Sequence, residues 1–190
     1  MIAFQTDPHL QTLDNVRDIF QHGKVMKAIA VIVQFLDTYP DHPKGLELFG
    51  MLLIETANQL ESSFPNGQKD ANAHSLDPDI KAEWTNIVSD TDKNNTVKIT
   101  DAFQKLMAGA SSLEVKSLLS AEVGLVLSSL LTKMSIISFY RAIKFGAGAS
   151  TIEYLATILM AENNIDEAAK IINAGIDKNP GDVAIMALQV

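Results

Sequence analysis

Cysteine is absent from the 190-residue chain, which excludes disulfides, thiolate metal sites and cysteine nucleophiles. Aromatic residues are also scarce, at 6% of a sequence that is 47% hydrophobic. The apolar content is therefore mainly aliphatic, and few segments alternate apolar and polar residues as half-buried strands do. We predict a soluble all-α protein, long enough to fold around a core without covalent staples.

Positive charge is in the minority, with 15 Lys and Arg against 23 Asp and Glu and a net charge of −8. A nucleic-acid partner is therefore not predicted, because phosphate binding needs a basic surface. The first eight residues lack the basic start and apolar run of a secretory signal. The apolar stretch 118–140 is interrupted by Glu122 and Lys133, so we interpret it as two buried helices or one long one. The prediction is a cytoplasmic protein without a membrane partner.

Motifs for catalysis are missing. The sequence has no Gly-x-Ser-x-Gly elbow and no complete glycine-rich phosphate loop. Its four histidines never occur three or four residues apart, the spacing that places two imidazoles on one helix face. We therefore predict a protein that is not an enzyme and has no catalytic residues.

Residues 150–180 contain the clearest structural pattern of the sequence. It is typical of a helix, a tight polar turn and a second helix. Small and large apolar residues occupy the positions where two such helices would touch: Ile152, Leu155, Ala156, Ala168, Ile172 and Gly175, with Pro180 after the second helix. This stretch resembles a tetratricopeptide repeat. The resemblance implies antiparallel helix pairs that stack as a short right-handed α-solenoid.

The same spacing recurs near the N-terminus. Ala28 precedes Pro40 by the interval that separates Ala168 from Pro180. Residues 43–53 resemble the first helix of a second unit, but the turn signal at 65–67 leaves that unit without a partner helix. The end of another second helix is indicated by Phe139 and Ala142, after a generic first helix near 118–131.

These matches predict a single domain over residues 1–190. Its N-terminal repeat units span 9–60, an irregular insert spans 61–111, and C-terminal repeat units span 112–190. Within the insert, Trp84 is predicted to be a core anchor, because large aromatic residues are usually buried.

The family resemblance also implies where a partner binds, because first helices line the concave side of such solenoids. The implied partner is another protein or a peptide. Met51 and Met160 suit an apolar segment, although they could instead pack the next helix layer. The predicted contact residues are Arg17, Phe20, Lys44, Met51, Glu55, Glu153, Thr157 and Met160.

One alternative function stays open for the whole chain. The resemblance also fits the N-terminal repeat segment of a larger enzyme such as a glycosyltransferase or a sulfotransferase.

A final helix with Val183, Ile185, Met186 and Leu188 is apolar around most of its surface. We expect a second copy of the chain, or sequence beyond this one, to cover it.

The segment 90–101 is the one candidate metal site. It resembles the twelve-residue calcium loop of EF-hand and dockerin proteins, which supplies oxygens at fixed offsets. The ligands implied by that resemblance are Asp90, Asp92, Asn94, the Thr96 carbonyl and Asp101.

This segment departs from the loop pattern in three places. Asn95 replaces the usual Gly, Lys98 removes an oxygen, and Asp101 replaces the bidentate Glu. If calcium binds, we expect weak binding, with a Kd no tighter than about 10⁻⁵ M, in a calcium-responsive helical protein. The alternative is a plain helix-to-helix connection in which Asp and Asn hydrogen-bond their own backbone.

Overall fold

The computed structural model describes residues 8–63, 76–93, 97–115, 121–178, 180–181 and 183–187. Throughout these residues the protein is helical and contains no strand, which confirms the predicted all-α fold class. The helices are α1 (Pro8–Gln21), α2 (Val25–Thr38), α3 (Pro43–Ser63), α4 (Pro78–Lys93), α5 (Ile99–Val115), α6 (Ala121–Lys144), α7 (Ala149–Ala161), α8 (Ile165–Lys178) and the short α9 (Val183–Met186).

The helix pairs α1–α2 and α7–α8 have the same layout. The bounds of α2 and α8 differ by 140 residues at both ends. Each pair turns through a left-handed residue, Gly23 with φ 72° and Asn163 with φ 58°. The Gly23 amide donates to the Phe20 carbonyl at 2.8 Å, and the Asn163 amide donates to the Met160 carbonyl at 3.0 Å. One turn geometry thus serves both pairs, and Gly and Asn are the residues that tolerate it.

The long helices α3 and α6 form the most extensive helix contact among the described residues. Three fully buried serines of α6 donate to carbonyls of α3: Ser128 to Ala57 at 3.1 Å, Ser135 to Gly50 at 2.8 Å and Ser138 to Leu46 at 2.7 Å. Residue numbers rise along α6 as they fall along α3, so the two helices are antiparallel. Helix α3, for which the sequence indicated no partner helix, therefore packs along α6.

Helix α6 is continuous from Ala121 to Lys144. The stretch was interpreted as two buried helices or one long one, and one long helix is observed. No break within α6 separates a first helix near 118–131 from the helix that contains Phe139. By length and composition α6 could cross a membrane, but 67% of its most apolar stretch is buried inside the fold. A core helix passes the same test, so this feature only weakly indicates a membrane.

Most described residues of the insert predicted for 61–111 are helical rather than irregular. They form α4 and α5, which pack on α6, and α5 also contacts α2. Trp84 is 2% exposed and belongs to the main core, as predicted. The Thr100 hydroxyl donates to the Asp37 carboxylate at 2.9 Å. The start of α5 is therefore attached to the end of α2.

Arg141 of α6 attaches the other side of the insert. Its guanidinium donates to the carbonyls of Thr91 at 2.6 Å and Val97 at 2.8 Å. The Thr91 carbonyl lies in the last turn of α4, where carbonyls lack helical partners and a cation is favourable. Helices α4 and α5 are thus attached to α2 and α6.

One residue of the short helix α9 is covered by its own chain. Ile185 is fully buried in a cluster with Ile152 and Ile172 of α7 and α8. Ile185 therefore needs neither a second copy nor further sequence to cover it, while Met186 is 48% exposed and Leu188 lies outside the described residues.

Two equivalent contacts, 140 residues apart in the sequence, each pair a glycine with a large apolar residue. In the first contact the glycine comes second in the sequence, and in the other it comes first. A Cβ added to Gly45 at the start of α3 would lie 2.9 Å from the Phe35 ring of α2. At the corresponding contact 140 residues later the sizes are reversed, and a Cβ on Gly175 of α8 would lie 3.4 Å from the Ile185 side chain. Both contacts are close because one of the two residues is Gly.

Candidate functional site

Helix α7 is buried on one side only. The buried side includes Ile152, Leu155 and Leu159, which pack into the two clusters between α6, α7 and α8. The rest of its circumference carries the exposed and half-buried residues Ser150, Glu153, Tyr154, Thr157 and Met160. This pattern gives α7 an uncovered stripe of mixed polarity along its whole length.

Helix α3 contributes a buried carboxylate beside the start of this stripe. The Glu47 side chain is 7% exposed and accepts a hydrogen bond from the Lys44 ammonium at 3.0 Å. The Ser150 hydroxyl of α7 donates to the same carboxylate at 3.4 Å. A buried carboxylate needs such partners, and here they join α3 directly to α7.

Tyr154 is the aromatic residue of the stripe. Its ring stacks on the fully buried Phe139 ring of α6, with centroids 6.2 Å apart and planes 7° apart. The Tyr154 residue nevertheless remains 44% exposed. An aromatic ring held on a rigid base and open on its other side is well suited to anchor a partner, because little conformational entropy is lost on binding.

We call this surface the α3–α7 face. Sequence reasoning missed Tyr154 in it, although the spacing of Ser150, Tyr154 and Thr157 by four and three residues would have placed all three on one side of α7. The α3–α7 face comprises Lys44, Glu47, Met51, Ile54, Glu55, Ser150, Glu153, Tyr154, Thr157 and Met160.

Six of the eight predicted contact residues lie on the α3–α7 face: Lys44, Met51, Glu55, Glu153, Thr157 and Met160. Met51 and Met160 are half-buried against the cluster that contains Leu155. Both side chains therefore pack between helix layers, as the alternative interpretation expected. Glu55 accepts a hydrogen bond from Gln59 at 3.0 Å. The Thr157 hydroxyl donates to the Glu153 carbonyl at 2.8 Å.

The two predicted contact residues of α1 are placed differently. Arg17 forms an exposed ion pair with Asp14 of the same helix at 3.4 Å. Phe20 is half-buried against the main core, which extends across α1 to α6. Both residues therefore lie outside the α3–α7 face.

Of the proposed calcium ligands that the structure describes, Asp90 and Asp92 do not point toward one site. Asp90 and Asp92 lie within α4, and side chains two positions apart on a helix point about 200° apart. Asp90 borders the cleft beside Lys105 of α5, whereas Asp92 borders the cavity beside Tyr140 of α6.

Residues 90–93 are therefore helical and do not form the predicted loop, and Asp101 lies in the first turn of α5. Asn94 and Thr96 lie outside the described residues. Among the residues that the structure does describe, no group of three His, Asp or Glu could hold a metal ion.

A cavity of about 350 Å³ lies between α4, α6 and the turn from α7 to α8. Val88, Leu130 and Leu159 line it together with the polar Asp92 and Lys133. The Asp92 carboxylate and the Lys133 ammonium form no ion pair in the described structure. The cavity lies on the side of α6 that faces the insert and is separate from the α3–α7 face.

Tyr140 at the edge of this cavity connects α6 to α8. Its hydroxyl donates to the Glu167 carboxylate at 2.9 Å, and Lys170 donates to the same carboxylate at 3.1 Å. These two hydrogen bonds lower the pKa of Glu167, with the Tyr140 bond the larger cause. Burial raises the pKa of Tyr140, and Glu167 raises it further.

The Tyr140–Glu167 bond predicts a pH dependence of stability. A carboxyl group with a lowered folded-state pKa stabilises the fold above its unfolded pKa, and this stabilisation is lost as pH falls through the folded-state pKa. We expect the free energy of unfolding to fall below about pH 4.5 more steeply in the wild type than in Tyr140→Phe. Urea titrations at a series of pH values measure this, and parallel profiles would contradict it.

Comparison with known proteins places no constraint on this interpretation. No family model, no curated protein and no solved structure matches the chain. The function must therefore be inferred from the residues and contacts of this chain.

Proposed function

We propose that the protein is a non-catalytic scaffold of tetratricopeptide-like helix pairs that binds a peptide segment or a partner protein on its α3–α7 face. The order of helix packing carries the proposal. Helix α1 packs on α2, α2 on α3, α3 on α6, α6 on α7 and α7 on α8. With α6 as the partner of α3, the chain reads as three successive pairs, and α1, α3 and α7 are the first helices of those pairs.

The insert supports the same assignment of sides. Helix α4 packs on α6, and α5 packs on α2 and α6, the second helices of their pairs. These two helices therefore lie mainly on the second-helix side, although Phe103 of α5 also contacts Phe49 of α3. The stripe of α7 that includes Tyr154 remains exposed. Solenoid proteins use the surface that successive repeats build together as their extended binding site.

Selection of peptides from a random phage-displayed library against the full-length chain tests this function. We expect enriched peptides to lose at least about tenfold in affinity for Tyr154→Ala, the typical effect of removing an interface anchor. Tyr39→Ala is the matched control, because Tyr39 is 42% exposed and lies after α2, outside the α3–α7 face.

Affinity that falls for Tyr154→Ala and not for Tyr39→Ala supports binding at the α3–α7 face. Failure to enrich any peptide, or enriched peptides that bind Tyr154→Ala as well as the wild type, would contradict the proposal.

A further inference from the structure

Charge is distributed unevenly between the two sets of helices. The first helices α1, α3 and α7 carry six carboxylates and only two Lys or Arg residues. The second helices α2, α6 and α8 carry five carboxylates and six Lys or Arg residues. The negative charge of the framework is therefore concentrated on the first helices, two of which form the α3–α7 face.

The two cations of the first helices are already paired. Arg17 lies 3.4 Å from Asp14, and Lys44 lies 3.0 Å from Glu47. On the α3–α7 face, the remaining carboxylates Glu55 and Glu153 form no ion pair in the described structure. The hydrogen bond that Glu55 accepts comes from the neutral amide of Gln59. Their charge is therefore uncompensated by any cation of the described chain.

Apolar groups share this face with the two carboxylates. Tyr154 presents an open ring, and Met51, Ile54 and Met160 are half-buried. Helix α7 contains no Lys or Arg, so no positive side chain of that helix opposes a cationic partner. A segment that complements the face must carry apolar side chains for its centre and positive charges for Glu55 and Glu153.

We propose that the occupant of the α3–α7 face is a cationic amphipathic peptide segment. Its apolar side chains pack on Tyr154 and the neighbouring methionines, and its Lys or Arg side chains pair with Glu55 and Glu153. This inference rests on the proposed function, to which it adds the chemistry of the partner. Charge complementarity argues against an acidic segment, because like charges across an interface are unfavourable.

Fluorescence anisotropy with three labelled peptides tests the inference on the full-length protein. The first is a short amphipathic peptide of Leu and Lys, the second has every Lys replaced by Gln, and the third has every Lys replaced by Glu. We expect the Lys peptide to bind at least about tenfold more tightly than the other two. Its affinity should fall as the salt concentration rises from about 50 to about 300 mM, because exposed charges are screened.

Two charge-reversal variants locate the binding. Glu55→Lys/Glu153→Lys is expected to weaken binding of the Lys peptide at least about tenfold. Asp166→Lys/Asp177→Lys is the control, since it makes the same change in net charge at exposed positions of α8. Binding of the Lys peptide that falls equally in both variants would overturn the location, because net charge alone would then explain it.

The outcomes separate this inference from the proposed function. If the Gln or Glu peptide binds as tightly as the Lys peptide and loses affinity for Tyr154→Ala, the cationic partner is overturned and the binding face stands. If peptides selected by phage display bind through Tyr154 and the Lys peptide does not bind, the cationic partner is again overturned. If no peptide from either source binds, both proposals fail.

Discussion

Phe139→Ala is expected to lower the free energy of unfolding by about 3–5 kcal/mol, the range for truncating a buried Phe. Phe139 is fully buried in α6 and lies at the meeting point of three helices. A Cβ on Gly50 of α3 would lie 3.0 Å from its ring, and Tyr154 of α7 stacks on the same ring. The cavity would therefore loosen both the α3–α6 pair and the support of the α3–α7 face.

Urea denaturation measures this loss, and Phe145→Ala is the matched control. Phe145 follows α6 directly and is 38% exposed, so its truncation should cost less than about 1 kcal/mol. Phe139→Ala should also weaken the binding of peptides selected on the wild type, because Tyr154 loses its base. Equal stability losses for the two variants would show that Phe139 is not the packing centre described here.

Gly45→Ile is expected to destabilise the protein by about 1–3 kcal/mol, because overpacking forces side chains out of their preferred rotamers. The new side chain would start 2.9 Å from both Phe35 and Leu36. In a Phe35→Ala background the same substitution should cost much less, because Ile then occupies the vacated space, in the arrangement that Gly175 and Ile185 already show.

A double-mutant cycle at positions 35 and 45 measures this coupling. We expect the cost of Gly45→Ile to depend on the residue at position 35. A cost that is the same in both backgrounds would contradict the close contact between the first pair and α3.

The helical fold and the two terminal pairs could be predicted from the sequence, because their signals are local. Ala168 and Ile172 have the helical spacing of a buried face, and both are buried in α8. Gly23 and Asn164 lie in short polar turns that the sequence marks clearly. Such signals depend on neighbouring residues and need no knowledge of distant contacts.

The middle pair could not be predicted because its determinants are distant in sequence. Ser135 donates to the Gly50 carbonyl across 85 positions, and nothing local distinguishes this serine from the exposed Ser129. The loop predicted for 90–101 gives way to helix at 90–93 for a related reason. Asp90 and Asp92 have loop-like spacing, but α4 continues through them, held at its end by Arg141 from α6.

Part of the α3–α7 face could be predicted from the sequence. Glu153, Thr157 and Met160 were predicted because first helices line the concave side in the family that the chain resembles. Spacing within α7 places Tyr154 beside Ser150 and Thr157, but its support by the Phe139 ring is a contact between α6 and α7 that no local pattern indicates.

Methyl NMR of the protein with ¹³C-labelled methionine tests the central claim most directly, which is that a partner binds the α3–α7 face. The methionines provide internal controls, because Met51 and Met160 lie on this face, Met26 is 54% exposed on α2, and Met134 is fully buried in α6. Titration with the cationic amphipathic peptide should shift the Met51 and Met160 signals together and saturably, and leave those of Met26 and Met134 in place. A saturable shift of Met26 with Met51 and Met160 unchanged would contradict the account.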